Sequence, residues 1–189
     1  MKESLLAMVV ARSFKYSKEP TFKLVSGRMS NYYIDCKKVT LSGEGLLLIG
    51  TMVYEKIKDL DISGIGGLTL GADPIAISTA FVSLLNKKII HPFVVRKEAK
   101  GHGTESFIEG NIKEGEKVVV VDDVITTGGS TIKAIEKSRL AGFEVVKAVV
   151  LVDREEGGKE AIEELGVTVD SIFTRTELFN FYKEHGGAF

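Results

Sequence analysis

The chain has 189 residues, with 25 Lys and Arg against 26 Asp and Glu, for a formal charge of −1; that balance excludes a general nucleic-acid-coating surface but leaves room for a local basic patch. Hydrophobic residues at 44% and charged residues at 27% are the composition of a folded globule and exclude a disordered chain. The single cysteine, Cys36, excludes an intrachain disulfide framework and a cysteine-rich zinc site.

A chain of this size buries roughly 70% of its unfolded surface and needs no covalent staple, so one domain over residues 1–189 is expected. No apolar run approaches the roughly 20 residues of a membrane helix. The apolar N-terminal stretch is broken by Arg12 and Lys15 and lacks a small-residue cleavage site, which argues against a signal peptide. The expectation is a soluble, cytoplasmic protein with neither a membrane nor a nucleic acid as partner.

Leu6, Val9, Val10 and Phe14 recur at helical spacing and predict an opening amphipathic helix. Extended pieces are predicted at 22–25 and 32–35, joined by a turn. Leu46, Ile49, Gly50, Val53 and Ile57 form the next helical stripe. From Ile62 the pattern becomes strand–helix alternation. A strand at 62–66 leads to Asp73-Pro74, read as a cap followed by proline at the first helical position. Ile77, Ala80, Phe81 and Leu84 are expected to bury that helix. A strand at 91–95 follows. Four consecutive valines, 118–121, mark a strand covered on both faces. Ile132, Ile135 and Leu140 mark the helix after it, and Gly142 stands where a C-terminal cap belongs. A strand at 145–152, a helix at 159–165, a strand at 167–172 and a helix at 177–184 complete the chain. Repeated β-α-β units predict an α/β fold with a parallel sheet covered by helices on both faces. Ligands of such sheets sit at the strands' carboxyl ends.

The densest chemistry is at 118–131, VVVVDDVITTGGST. A buried strand ends in Asp122 and Asp123. Val124 and Ile125 lead to Thr126, Thr127, Gly128, Gly129, Ser130 and Thr131, which enter a helix. Glycines admit close backbone approach, and hydroxyls with N–H groups at a helix N-terminus make a phosphate site. Two carboxylates beside it suit sugar hydroxyls, or a cation travelling with phosphate. A phosphate, a polyol and magnesium together describe a phosphorylated ribose. A nucleotide-hydrolysing loop of the Gly-x-x-x-x-Gly-Lys-Ser/Thr type is absent, and residues 64–69 lack the third glycine of a dinucleotide fingerprint.

The string resembles the phosphoribosyl-pyrophosphate (PRPP) motif of the type I phosphoribosyltransferases. Upstream, residues 96–110 read RKEAKGHGTESFIEG, with Arg96, Lys97, Lys100 and His102 within seven residues among Gly101, Gly103 and Gly110. Composition leaves two readings open: a solvated charged loop, or a cationic flap that closes over a diphosphate and expels water. The pattern Arg-Lys-Glu-x-Lys-x-His-Gly is similar to the catalytic loop of the orotate phosphoribosyltransferases.

That resemblance, running from Phe22 to Arg154, implies the type I phosphoribosyltransferase fold, a central parallel sheet flanked by helices, with a small N-terminal hood from about residues 1–40. It implies transfer of the 5-phosphoribosyl group from PRPP to orotate, giving orotidine 5'-monophosphate and diphosphate in pyrimidine synthesis. It also implies Mg2+ as cofactor and a homodimer in which Lys97 reaches the neighbouring site. By residue match, Lys100, His102, Asp122 and Asp123 would be catalytic. Arg96, Lys97, Lys100, His102, Asp122, Asp123, Val124, Ile125, Thr126, Thr127, Gly128, Gly129 and Ser130 would bind PRPP, and Thr126 and Arg154 would bind orotate. No dedicated metal-ligating side chain is assigned. Arg154, just past a buried strand, can present a planar fork to a carboxylate. Tyr32 and Tyr33 suit either covering a planar base or packing in the core. The chain departs from the family at Val25, where many members carry lysine before Ser-Gly, and at Thr69-Leu70, where many carry a lysine. The competing readings are a transferase for a neutral base, which would not need Arg154, and a nucleic-acid-binding PRPP sensor, which the near-neutral charge and intact cationic loop oppose.

Overall fold

A computed structural model describes residues 1–23, 27, 29–98 and 107–185. In chain order the elements are α1 (Lys2–Ser13), β1 (Phe14–Tyr16), β2 (Phe22–Lys23), β3 (Met29–Ser30), β4 (Tyr32–Ile34), α2 (Lys37–Thr40), α3 (Gly43–Ile57), β5 (Gly64–Leu68), α4 (Asp73–Leu85), β6 (His91–Val95), β7 (Ile108–Gly110), β8 (Lys117–Ile125), α5 (Gly129–Leu140), β9 (Glu144–Asp153), α6 (Gly158–Glu163), β10 (Thr168–Thr174) and α7 (Arg175–Glu184).

The valine run does what its composition dictates. Side chains alternate across a strand, so Val119 and Val121 enter one core with Leu5, Ile49, Ile75 and Leu151. Val118 and Val120 enter a second, opposite core with Ile135, Val150 and Ile162. All four are fully buried, at roughly 1.5–3 kcal/mol of hydrophobic stabilisation each. Strand β8 thereby anchors a six-stranded sheet of order β10-β9-β8-β5-β6-β7. It is parallel except for the edge pairing of β7 on β6. The chain runs from β5 to β6 on one side and then crosses to β8 on the other. The strand order therefore reverses between β5 and β8, the point where open α/β sheets bind ligands.

The N-terminal strands form two small ribbons, β1 with β4 and β2 with β3. The predicted turn thus contains a short strand, and Phe14 opens β1 rather than ending α1. Ser17 N donates to Asn31 O and Asp35 N to Ser13 O, at 2.8 and 3.0 Å, closing the β1–β4 ribbon at both ends. Tyr32 stacks on Phe14, with ring centroids 6.5 Å apart.

Two local expectations are corrected. Asp73 is the first residue of α4, behind an Ala72 N-cap that makes no side-chain bond; its Oδ2 accepts instead from Thr69 Oγ1 at 2.7 Å. The buried face of α4 is Ile75, Ala76, Thr79, Ala80 and Val82, whereas Ile77, Phe81 and Leu84 are 57%, 60% and 59% exposed. The helix is apolar nearly all round, so its periodicity supports either orientation. Contact with α3 selects the small-residue side: a Cβ on Gly50 would collide with the Ser78 backbone at 2.8 Å.

Candidate active site

A cleft of about 1090 Å³ opens at the carboxyl ends of the central strands. Its floor is the turn from β8 into α5: Asp122, Val124, Ile125, Thr126, Thr127, Gly128, Gly129, Ser130 and Thr131 all line it. Gly128 forms the N-cap of α5 at φ +81°, and no side chain caps the helix. A Cβ there would stand 2.9 Å from Gly158 O, on top of the unfavourable dihedral. The uncapped N-terminus of a twelve-residue helix faces the cleft with backbone donors and the positive end of its dipole.

The acidic pair is tightly held. Asp122 Oδ1 accepts from Asp123 N at 3.0 Å and Oδ2 from Thr131 Oγ1 at 2.8 Å. Asp123 Oδ1 accepts from Val124 N at 3.0 Å. Across from β8, Gly71 lies so close that a Cβ would stand 2.5 Å from Asp123 Oδ1. The β5–α4 turn can therefore press its bare backbone against the pair. Burial, then the neighbouring Asp123 charge, pushes the Asp122 carboxyl up to about 7, against the opposing bond from Thr131. The buried Cys36 thiol is raised by burial and then by Asp123.

The walls come from distant segments. Arg154 follows β9, its N donating to Ile125 O at 3.0 Å, so the two strand ends are tied together. The residue is 5% exposed, and it lines the cleft. Its Nη2 is 2.9 Å from Glu156 Oε1. Yet neither Nη2 nor Nε has an aligned hydrogen-bond acceptor among the described residues. A buried guanidinium with unaligned donors beside a cleft has the chemistry to take a further anion. Tyr32 supports it: its ring lies 5.0 Å from the Arg154 guanidinium carbon, and its hydroxyl donates to Glu156 Oε1 at 3.2 Å. Glu155 fastens the same segment to α7, accepting from Thr176 Oγ1 at 2.6 Å and Thr176 N at 3.0 Å. Burial alone would raise the Glu155 carboxyl, but these bonds and Arg175 hold it low.

Of the two tyrosines weighed for the base, Tyr33 lines the cleft and Tyr32 packs behind Arg154. Lys23, the last residue of β2, also lines the cleft; Val25 lies outside the described residues. Sequence reasoning missed Lys37, Lys133 and Glu156, which line it too. Nothing in the local sequence marks Lys37; only the long-range fold shows its Nζ at 3.2 Å from Asp123 Oδ2. Arg96 and Lys97 stand at the end of β6 and do not line the cleft. Arg96 Nη1 pairs with Glu109 Oε1 at 3.1 Å. Lys137 Nζ donates to both the Arg96 and Lys97 carbonyls at 2.8 Å. Lys100 and His102 lie outside the described residues. Among the described residues, no three His, Cys, Asp or Glu side chains cluster to cage a metal, and no helix is long and apolar enough to cross a membrane.

Similarities to known proteins extend over nearly the whole chain. Residues 79–179 match the phosphoribosyl transferase domain model. The chain is 50% identical to the orotate phosphoribosyltransferase of Aquifex aeolicus, over 94% of this chain and 97% of that protein. It is 45% identical to the Nostoc orotate phosphoribosyltransferase, over 98% and 89%. Among solved structures, a Mycobacterium tuberculosis orotate phosphoribosyltransferase in complex with PRPP superposes with a TM-score of 0.77 at 35% identity, over 94% of this chain and 98% of that one.

Proposed function

The chain belongs to the orotate phosphoribosyltransferase family and carries out that family's reaction, transfer of the phosphoribosyl group of PRPP to orotate; we propose the following roles for its residues. The observation that carries them is the juxtaposition, in one cleft, of an uncapped helix N-terminus, the buried carboxyl of Asp122 with Asp123 next to it in β8, and a buried arginine.

The 5'-phosphate sits on Thr126, Thr127, Gly128, Gly129 and Ser130 at the start of α5. Val124 and Ile125 contribute backbone to the same turn. Asp122 and Asp123 take the ribose hydroxyls. Arg154 holds the orotate carboxylate, with Thr126 at the ring edge. A ring nitrogen of orotate bonds to the anomeric carbon as the bond to diphosphate breaks with its electron pair, and the nitrogen's proton passes to the departing diphosphate. Cationic character on the sugar ring is stabilised by the adjacent carboxylates. Arg96, Lys100 and His102, with Lys97 of the partner subunit, take the charge of the departing diphosphate, as the family loop implies. No enzyme nucleophile is needed, and positioning does the rest.

Magnesium fits this donor set. Two hard carboxylates without a third acidic partner among the described residues make no dedicated cage. They suit an ion that keeps substrate oxygens in its shell. Asp122 and Asp123 are the residues that would hold it. Bound there, it would screen the charge of the diphosphate.

A homodimer is supported by the outward face of α4. Leu47, Ile77 and Phe81 line an apolar groove of about 320 Å³, continued by exposed Leu84 and Leu85. A second copy is the occupant that would cover such a patch on a folded protein. The free buried thiol of Cys36 suits the reducing cytoplasm.

The test follows orotate by its absorbance. Its loss should require PRPP and magnesium together; no loss with both present, or equal use of uracil, would overturn the assignment.

A further inference from the structure

Three of the four oxygens of the acidic pair are satisfied from the β8–α5 segment itself, by Asp123 N, Thr131 Oγ1 and Val124 N. The fourth, Asp123 Oδ2, meets a charge from the hood: Lys37 Nζ at 3.2 Å. Lys37 opens α2, and its backbone N donates to Asp35 Oδ1 at 3.2 Å, which fixes where the side chain starts. Its ammonium is also 3.6 Å from Asp35 Oδ1. Burial works against that charge, but Asp123 and then Asp35 outweigh it and hold the ammonium above its ordinary range.

The side chain is still 47% exposed and lines the cleft. An ammonium has three donors and no acceptor, and the two carboxylates occupy two at most. A ribose seated on the pair must bring its hydroxyls to Asp123 beside Lys37. The diphosphate of PRPP is bonded to the carbon next to those hydroxyls, so the leaving group is the anion nearest the remaining donor.

We propose that Lys37 is a substrate-contacting residue of the transfer reaction: it stays on Asp123 and donates a further hydrogen bond to the diphosphate of PRPP. This rests on the PRPP reading of the cleft. The hood then supplies a cation on the leaving-group side that does not depend on the 96–110 segment. The same ammonium keeps Asp123 from repelling the diphosphate.

The experiment titrates PRPP, inorganic diphosphate and ribose 5-phosphate into the full chain and into Lys37→Met, Lys37→Gln and Lys37→Arg, by calorimetry with magnesium present. One charge-assisted hydrogen bond corresponds to about tenfold in affinity. Lys37→Met and Lys37→Gln should each weaken PRPP and diphosphate by about that factor and leave ribose 5-phosphate unchanged, and Lys37→Arg should recover most of the loss. Gln retains a donor toward Asp123, so a folding defect confined to the methionine variant leaves the comparison intact. Unchanged diphosphate affinity with a lowered melting temperature would make Lys37 a hood staple only and overturn the proposal. Equal weakening of ribose 5-phosphate would overturn it as well. Orotate turnover by the native chain is scored separately: if it is present while the variants bind diphosphate normally, only the Lys37 contact falls, and if it is absent, the transferase reading falls.

Discussion

Replacing Asp122 by asparagine should make the protein more stable and inactive, with a gain that depends on pH. Asp122 is 5% exposed, and its carboxyl is raised from 3.8 to about 7, first by burial and then by Asp123. Between those values the native chain holds a proton that the unfolded chain has released. Stability therefore falls as pH rises through the window, and the loss is complete above about 7. At roughly 1.4 kcal/mol per pKa unit, the full cost is about 4 kcal/mol. Asparagine is nearly isosteric: its oxygen can accept from Asp123 N, and its amide can donate to Thr131 Oγ1 after the hydroxyl rotates. Urea unfolding of both proteins from pH 4 to pH 8 reads the effect of the Asp122–Asp123 pair, because the titrating groups away from the pair are shared. The curves should nearly coincide at pH 4, and the variant should lead by up to about 4 kcal/mol at pH 8. A pH-independent difference, or a variant weaker at pH 8, would refute the linkage. Turnover should fall most above about pH 7, where the native carboxyl is ionised and the variant removes an anionic partner of the ribose.

Arg154→Ala should raise KM for orotate about a hundredfold while moving KM for PRPP little, the size of a buried charge-assisted contact; steady-state kinetics in both substrates decides, and unchanged orotate KM would assign the carboxylate to another group. Gly128→Ala should cost about 2 kcal/mol, from the φ of +81° and the clash with Gly158 O, and should weaken ribose 5-phosphate binding; a thermal midpoint equal to the native one would show that the turn accommodates a side chain. Phe81→Glu should leave the monomer folded but abolish self-association, as read by light scattering behind a sizing column; an undiminished dimer would move the interface elsewhere.

The sheet was legible because its central strands are buried on both faces and so read as unbroken apolar runs, as at Val118 to Val121 and at 145–152. The β8–α5 turn was legible because its residues act through backbone and short side chains in one contiguous string. The outward stripe of Ile77, Phe81 and Leu84 was misassigned because α4 is apolar on both sides, and no period separates a core face from one awaiting another surface. Lys37 was invisible for a different reason: its partner is 86 positions away, and nothing local distinguishes it from Lys38. Glu156 reached the cleft in the same way, through Arg154 and Tyr32. The edge strand β7 is three residues long and its middle residue is Glu109, so it left no period to read.

On the proposed roles, strand β8 and helix α5 hold the phosphate and ribose of the donor within one uninterrupted stretch, while the arginine that would meet the acceptor is backed by parts as remote as Tyr32 and Glu156, which lie 124 positions apart and touch. The grip on the donor's phosphoribosyl end would thus be inherited whole, and the choice of acceptor assembled piecemeal. Changes at Tyr33, Lys23 or the Arg154 segment can retune which base is accepted without disturbing the donor's berth. Such a scaffold is suited to acquiring new acceptors by small steps.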